Sequence, residues 1–266
     1  MNRFGYYDPT SVQKAVGITK DKPDAKYVAG GQSLIAAMKL GLAQPTDLVD
    51  LRQIGDLKAI KLEGGGASIT VGAMARHAEV ATHIEVGARL KALSDLASAI
   101  GDRQVRNRGT LGGSIANNDP AADYPAAVLA LNATVVTEQR KIAADDYFKG
   151  LFETALKPGE MITAVSFPVP KKAAYQKFKN PASRFAIVGV FVAQTANGVR
   201  VAVTGAGSRG VFRVKAMEDA LSKNWSADAI KSVVVPAADL ASDIHASAEY
   251  RSHLITVLAM RAVSSA

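Results

Sequence analysis

The chain has 266 residues, 48% hydrophobic and 21% charged, which is enough apolar material for one large or two medium domains and argues against wholesale disorder. It contains no cysteine, so disulfides, thiolate catalysis and any cysteine-held zinc or iron–sulfur centre are excluded from it. The net charge of +8 comes from 32 Lys+Arg against 24 Asp+Glu, yet the basic residues are scattered and aromatics are 6%, which argues against a nucleic-acid surface and for an anionic cofactor or an acidic protein partner.

His77, His83, His245 and His253 follow no metal-binding spacing. The opening Met1-Asn2-Arg3-Phe4-Gly5 lacks an apolar leader core, and no run approaches the roughly 18 apolar residues of a membrane span. The expectation is a soluble, cytoplasmic protein without a membrane span.

In chain order, Thr10 or Ser11 caps a helix to about Ile18, and Lys26 to Ala29 is a short strand running into Gly30-Gly31. Ser33 is placed to cap a helix from Leu34 to Leu40 that Gly41 ends, and Asp47 to Leu51 reads as a second parallel strand. From Leu57 the pattern changes. Lys58–Leu62 and Ser68–Gly72 make a hairpin around Gly64-Gly65-Gly66. Helices are expected over His77–Thr82, Ala88–Ile100 (with a Leu90/Leu93/Leu96/Ala97/Ile100 stripe) and Tyr124–Leu131, and strands over Ala133–Thr137 and Met161–Phe167.

Pro168 and Pro170 with Lys171-Lys172 mark a boundary. Beyond it, Ala174–Lys179, Ala186–Gln194 and Val199–Thr204 alternate as an antiparallel meander, followed by helices over Val214–Leu221 and Tyr250–Val263, the latter with a Leu254/Val257/Leu258/Arg261 face. The class is α+β.

Three glycine-rich segments call for a reading. Gly205-Ala206-Gly207-Ser208-Arg209-Gly210 matches the dinucleotide fingerprint literally, but Val211 to Val214 interrupts the helix that a nicotinamide site requires, so a turn leaving a meander strand is expected. Val28-Ala29-Gly30-Gly31-Gln32-Ser33-Leu34 follows the order strand, glycine turn, helix, which sets backbone N–H groups beside a phosphate. Gly109-Thr110-Leu111-Gly112-Gly113-Ser114 reads as a second tight turn with donors for the same diphosphate, continuing through Asn117 to Asp123. From the residues alone this second segment is equally a helix-capping loop, with Asp123 capping the helix at Tyr124.

Ala29-Gly30-Gly31-Gln32-Ser33-Leu34 resembles the first flavin motif of the FAD-binding medium subunit of the molybdenum hydroxylases, the xanthine dehydrogenase and aerobic carbon monoxide dehydrogenase family. Gln104 to Ser114, ending in Asp119-Pro120-Ala121-Ala122-Asp123, resembles its second motif. Ile69-Thr70-Val71-Gly72-Ala73-Met74 and Lys177 to Arg184 extend the likeness over nearly the whole chain.

The resemblance implies FAD as cofactor and a two-lobed FAD-binding domain of the vanillyl-alcohol-oxidase-like type over residues 1–170. A small parallel βαβ lobe (about 1–56) and a larger antiparallel lobe (57–170) would precede a C-terminal antiparallel sheet with helices over 171–266. It implies that Tyr27, Val28, Ala29, Gly30, Gly31, Gln32, Ser33 and Leu34 line the diphosphate and approach the isoalloxazine. Thr110, Gly112, Gly113 and Ser114 would hold the other phosphate face, Asn117 and Asp123 polar groups of the cofactor, and Ile162 and Lys179 would lie near it.

The partners implied are a small [2Fe–2S] subunit and a large molybdenum-cofactor subunit, in a dimer of heterotrimers. The implied role is electron transfer from those clusters through FAD to an external acceptor, with no catalytic acid, base or nucleophile in this chain. The absence of cysteine fits a chain that carries the flavin and no cluster. Competing readings are a stand-alone FAD oxidase, a nicotinamide dehydrogenase built on Gly205–Gly210, and a basic scaffold with purely structural glycine loops.

Overall fold

The computed structural model describes residues 2–266. The first lobe is built from β1 (Gly5–Tyr7), α1 (Val12–Asp21), β2 (Lys26–Val28), α2 (Leu34–Lys39) and β3 (Asp47–Asp50). Its three strands are parallel in the order β1-β3-β2. Strand β1 is absent from the sequence reading, because three residues are too few to show alternation. Ser11 caps α1, its hydroxyl accepting from the Lys14 N–H at 3.3 Å. Ser33 does not cap α2: its backbone is already helical and its side chain makes no capping bond.

The second lobe carries β4 (Ile60–Glu63), β5 (Ser68–Gly72), α3 (His77–Thr82), α4 (Ile84–Arg89), α5 (Lys91–Ser98), α6 (Arg103–Arg106), α7 (Leu111–Asn117) and α8 (Tyr124–Ala130). It continues through β6 (Thr134–Thr137), β7 (Lys141–Ala143), α9 (Ala144–Tyr147), β8 (Phe148–Gly150), β9 (Glu153–Thr154) and β10 (Ile162–Pro168). Five strands form one sheet, β4-β5-β10-β6-β7, with Val165 of β10 facing Val71 and Val135 across antiparallel ladders. The single helix expected over Ala88–Ile100 is instead two, broken at Leu90 (φ −141°, ψ 56°) just after Gly87, a weak helix former. The stripe survives the break, since Leu90, Leu93, Leu96 and Ala97 are all buried.

The third region is a sheet of order β11-β12-β13-β14, from β11 (Lys172–Lys179), β12 (Ala186–Thr195), β13 (Gly198–Thr204) and β14 (Phe212–Arg213), with α10 (Lys215–Lys223) and α11 (Ala248–Ser265) on one face. Strand β12 is covered on both sides. Val188, Val190 and Val192 pack with the α10 and α11 core, while Phe191 and Ala193 belong to the core that includes α8 of the second lobe. Burial on both faces explains why β12 reads as an apolar run rather than a strict alternation.

On α11 the buried face holds Leu254 and Leu258 but is completed by Ile255, Ala259 and Ala262, while Arg261 is exposed. Buried Arg251 rotates the face: it donates to the Ile187 and Gly205 carbonyls and pairs with Asp243 at 2.7 Å.

Gly205–Gly210 forms the turn between antiparallel β13 and β14, Val203 facing Phe212. No helix opens within it, and α10 begins only at Lys215, so the geometry of a nicotinamide site is absent there. Among the described residues no helix is long and apolar enough to cross a membrane, and no group of His, Asp and Glu is placed to hold a metal.

Candidate FAD site

A cleft of about 580 Å³ is lined by residues of the first lobe, the second lobe and, from the third region, Phe185. That volume lies within the range of cofactor sites. Both glycine motifs reach it.

The first motif supplies backbone donors. β2 runs into Gly30-Gly31, and Gly31 takes φ +74°, a conformation that strains residues with a Cβ. Among the described residues, the N–H groups of Gly31, Gln32, Ser33 and Leu34 have no hydrogen-bond acceptor in the protein. Gln32 and Ser33 expose their side chains on the cleft, beside Ala29 and Leu34. Tyr27 also lines it, but its hydroxyl is tied to Thr19 (2.8 Å) and the Gly159 carbonyl (2.9 Å), so it contributes ring surface. Val28 does not line the cleft; it is buried with Met38 and Leu48.

The second motif is built differently from the tight turn expected of it. Thr110 is the N-cap of α7, its hydroxyl accepting from the Gly113 N–H at 3.1 Å, and Gly112, Gly113 and Ser114 lie in the first helical turn. The donors that open α7 are already used: Leu111 N–H bonds the Ala75 carbonyl (3.0 Å) and Gly112 N–H the Ala73 carbonyl (2.9 Å). These two bonds hold a glycine-rich segment helical against its intrinsic preference. A Cβ on Gly112 would lie 2.6 Å from the Ala73 Cβ, so this glycine serves helix packing. Gly113 faces the first motif, with the Ala29 Cβ 3.8 Å from where its own Cβ would be. What this motif offers the cleft is the Thr110 and Ser114 hydroxyls, the Asn117 amide and the bare surface over Gly113.

Asp123 lines the cleft at α8, yet it caps nothing. Its carboxylate accepts from the Tyr175 hydroxyl (2.5 Å) and from Lys177 (3.0 Å), both on β11, and Lys177 also donates to the Ala99 carbonyl. Burial pushes the Asp123 carboxyl up, with Lys177 and Tyr175 acting against it. Lys179 lies outside the cleft and is exposed; the β11–β12 register shifts between Phe178 and Lys179, so it does not repeat the environment of Lys177.

Ile162 joins Met161, Met74, Leu51 and Leu156 along the apolar part of the lining. Glu160, beside them, is gripped by Arg140 through two bonds of 2.9 Å and by Thr137 and the Lys157 N–H. Chiefly through Arg140, its carboxyl is held down to about 2. His77, Glu160 and Phe185 were not identified from sequence. All three adjoin or fall within segments that carried signal: His77 follows Ala73-Met74, Glu160 precedes Ile162, and Phe185 follows Arg184.

Glu160 is paired to Arg140 and Asp123 to Lys177, and among the described residues Lys26 is the one lysine or arginine lining the cleft. An anion there would be held by neutral donors, namely free N–H groups and hydroxyls, and a flat ring by the apolar lining. Unfilled N–H groups, hydroxyls, an amide and a glycine cradle together fit the diphosphate, sugar and ring of a flavin dinucleotide.

Residues 2–170 match the family described as the FAD binding domain in molybdopterin dehydrogenase, and residues 173–266 match the CO dehydrogenase flavoprotein C-terminal domain. The chain is 36% identical over 280 residues to the carbon monoxide dehydrogenase medium chain of Afipia carboxidovorans, covering 99% of this chain and 96% of that one. It is 35% identical over 275 residues to the nicotine 6-hydroxylase medium subunit of Paenarthrobacter nicotinovorans, covering 98% and 96%. The solved carbon monoxide dehydrogenase of Hydrogenophaga pseudoflava contains a chain that superposes with a TM-score of 0.87 at 33% identity, covering 100% of this chain and 97% of that one. The chain belongs to the family of FAD-binding medium subunits of carbon monoxide dehydrogenase and related molybdenum hydroxylases.

Proposed function

We propose that the chain is the electron-transfer subunit of a multi-subunit molybdenum hydroxylase. It would take electrons from [2Fe–2S] clusters of a small subunit and pass them to an external acceptor, while a large molybdenum-cofactor subunit oxidises a small substrate. Carbon monoxide, an aldehyde, a purine and an N-heterocycle are the candidate substrates. The assembly is a dimer of heterotrimers in the cytoplasm. The observation that carries the reading is the cleft shared by the two motifs, with the Gly31, Gln32, Ser33 and Leu34 N–H groups unsatisfied among the described residues.

When bound, FAD supplies the electron-accepting and electron-donating chemistry. The chain binds and orients it. Gly31, Gln32, Ser33 and Leu34 offer N–H groups to the diphosphate, Gly113 keeps the approach open, Gly30 lets the first motif pack on the Arg108–Gly109 backbone, and Thr110 and Ser114 offer hydroxyls. Asn117 meets a polar group of the cofactor, while Tyr27, Ala29 and Ile162 border the ring. Asp123 helps shape the wall through Lys177 and Tyr175, and Gly112 secures α7 against Ala73. Val28 supports the first motif from behind, and exposed Lys179 has no place in the cleft. Residues 1–170 form the flavin-binding domain and 171–266 the C-terminal domain.

The similar likeness to a carbon monoxide enzyme and a nicotine enzyme supports placing substrate choice on another subunit. Affinity isolation of the tagged chain from its own cells tests the assignment. The expected assembly contains FAD, iron and molybdenum. A chain that isolates alone with FAD and oxidises a substrate directly with oxygen would favour the stand-alone oxidase.

A further inference from the structure

We infer that His77 is a hydrogen-bonding contact for FAD, meeting a polar atom of the cofactor through the Nε2 that the protein leaves unpartnered. The inference rests on the flavin reading and adds a residue outside both glycine motifs.

His77 is 5% exposed and lines the cleft. Its position is built. The His77 N–H donates to the Gly109 carbonyl at 3.0 Å, and the Glu79 carboxylate accepts from the Arg76 N–H at 2.8 Å at the first turn of α3. The ring leans on Tyr124, with centroids 5.4 Å apart. It also explains the first glycine of the second motif: a Cβ on Gly109 would lie 2.5 Å from the His77 Nε2 and 2.8 Å from its Cδ2. Gly109 therefore makes room for an imidazole, and the imidazole sits where the motif meets the cleft.

Neither ring nitrogen has a hydrogen-bond partner among the described residues. Nδ1 is wholly enclosed; Nε2 is not among the enclosed atoms and lies at the ring edge that faces bare Gly109. Burial, reinforced by Arg106, holds the imidazole down to about 4, so at neutral pH it is uncharged, one nitrogen donating and the other accepting. A side chain serving only to fill this seat would be a leucine, which leaves no polar atom unsatisfied. An uncharged partner suits a hydroxyl or carbonyl of the cofactor, leaving the diphosphate to the N–H groups of the first motif.

The test is titration of FAD into the full chain, comparing wild type, His77→Leu and His77→Gln, together with the thermal midpoints of the FAD-free proteins. The expected result is a Kd raised about tenfold in His77→Leu and largely restored in His77→Gln, whose amide reaches the Nε2 position. FAD-free His77→Leu should melt no lower than wild type, because an unsatisfied polar group has been removed. A Kd within about twofold of wild type in His77→Leu overturns the assignment. So does a drop in FAD-free stability common to both variants, which marks a packing role. Wild type that takes up no FAD, either alone or together with the iron–sulfur and molybdenum subunits, fails the flavin reading itself, a result distinct from either.

Discussion

Gly30 and Arg108 meet backbone to backbone: a Cβ on Gly30 would lie 2.8 Å from the Arg108 carbonyl carbon and equally close to the Gly109 Cα. The two motifs, about eighty residues apart in sequence, are thus in contact, and the first can sit beside the second only because position 30 has no side chain. Gly30→Ala should lower stability by about 1–3 kcal/mol through overpacking against a rigid backbone, and should abolish FAD uptake. Thermal denaturation with FAD titration checks this; unchanged values in both would contradict the contact.

Gly112 and Gly113 should separate fold from binding. Gly112→Ala drives a methyl into Ala73 and is expected to destabilise the FAD-free chain. Gly113→Ala crowds only the Thr110 hydroxyl at 2.9 Å, and a weakened cap of about 1 kcal/mol is offset by the better helix propensity of alanine. Its FAD-free stability should stay near wild type while FAD affinity falls. Denaturant unfolding of the two FAD-free variants distinguishes these outcomes.

The pair Lys177–Asp123 joins the third region to the cleft wall with both side chains buried. Lys177→Met leaves a buried carboxylate unpaired and should cost about 3 kcal/mol. Adding Asp123→Asn should recover much of that loss. A double-mutant cycle in urea measures the coupling, and additive single effects would contradict it.

Acid should destabilise the chain in two steps. His77 is held at about 4 against an ordinary 6.5, so between those values the unfolded chain binds a proton that the folded chain does not. Stability is therefore complete above about 6.5 and falls as pH drops toward 4, by roughly 3 kcal/mol in all. Glu160, held at about 2 mainly by Arg140, is also stabilising when charged, and its contribution is lost as pH falls from 4.5 toward 2. Unfolding free energies across pH 3–7 should show the upper step vanish in His77→Leu; its persistence would mean another group titrates there.

The legible parts of the site were local. Strand β2, Gly30-Gly31 and α2 lie within fourteen consecutive positions, 26–39, and the order of residue types suffices to place unpaired N–H groups at the turn. The second motif was legible as a site but not as a helix, since the bonds that make it helical come from Ala73 and Ala75, some forty residues away. Asp123 was identified, but its partners Tyr175 and Lys177 are separated from it by 52 and 54 positions and belong to another sheet. Lys179 was named from the family resemblance, and the register shift between Phe178 and Lys179 that sets it apart from Lys177 leaves no mark in so short a segment. His77 carried no motif; only its seat on Gly109 and its unpartnered nitrogens single it out.

The two motifs together are proposed to form one FAD site. The most direct test is the visible flavin absorption of the purified chain after adding FAD and removing the excess, for wild type, Gly31→Val and Gly113→Val. Gly31→Val strains a φ of +74°, and Gly113→Val fills the bare surface facing Ala29. Flavin absorption should travel with the wild-type protein and be lost in both variants. Flavin retained by both variants, or none bound by wild type either alone or together with the iron–sulfur and molybdenum subunits, would contradict it.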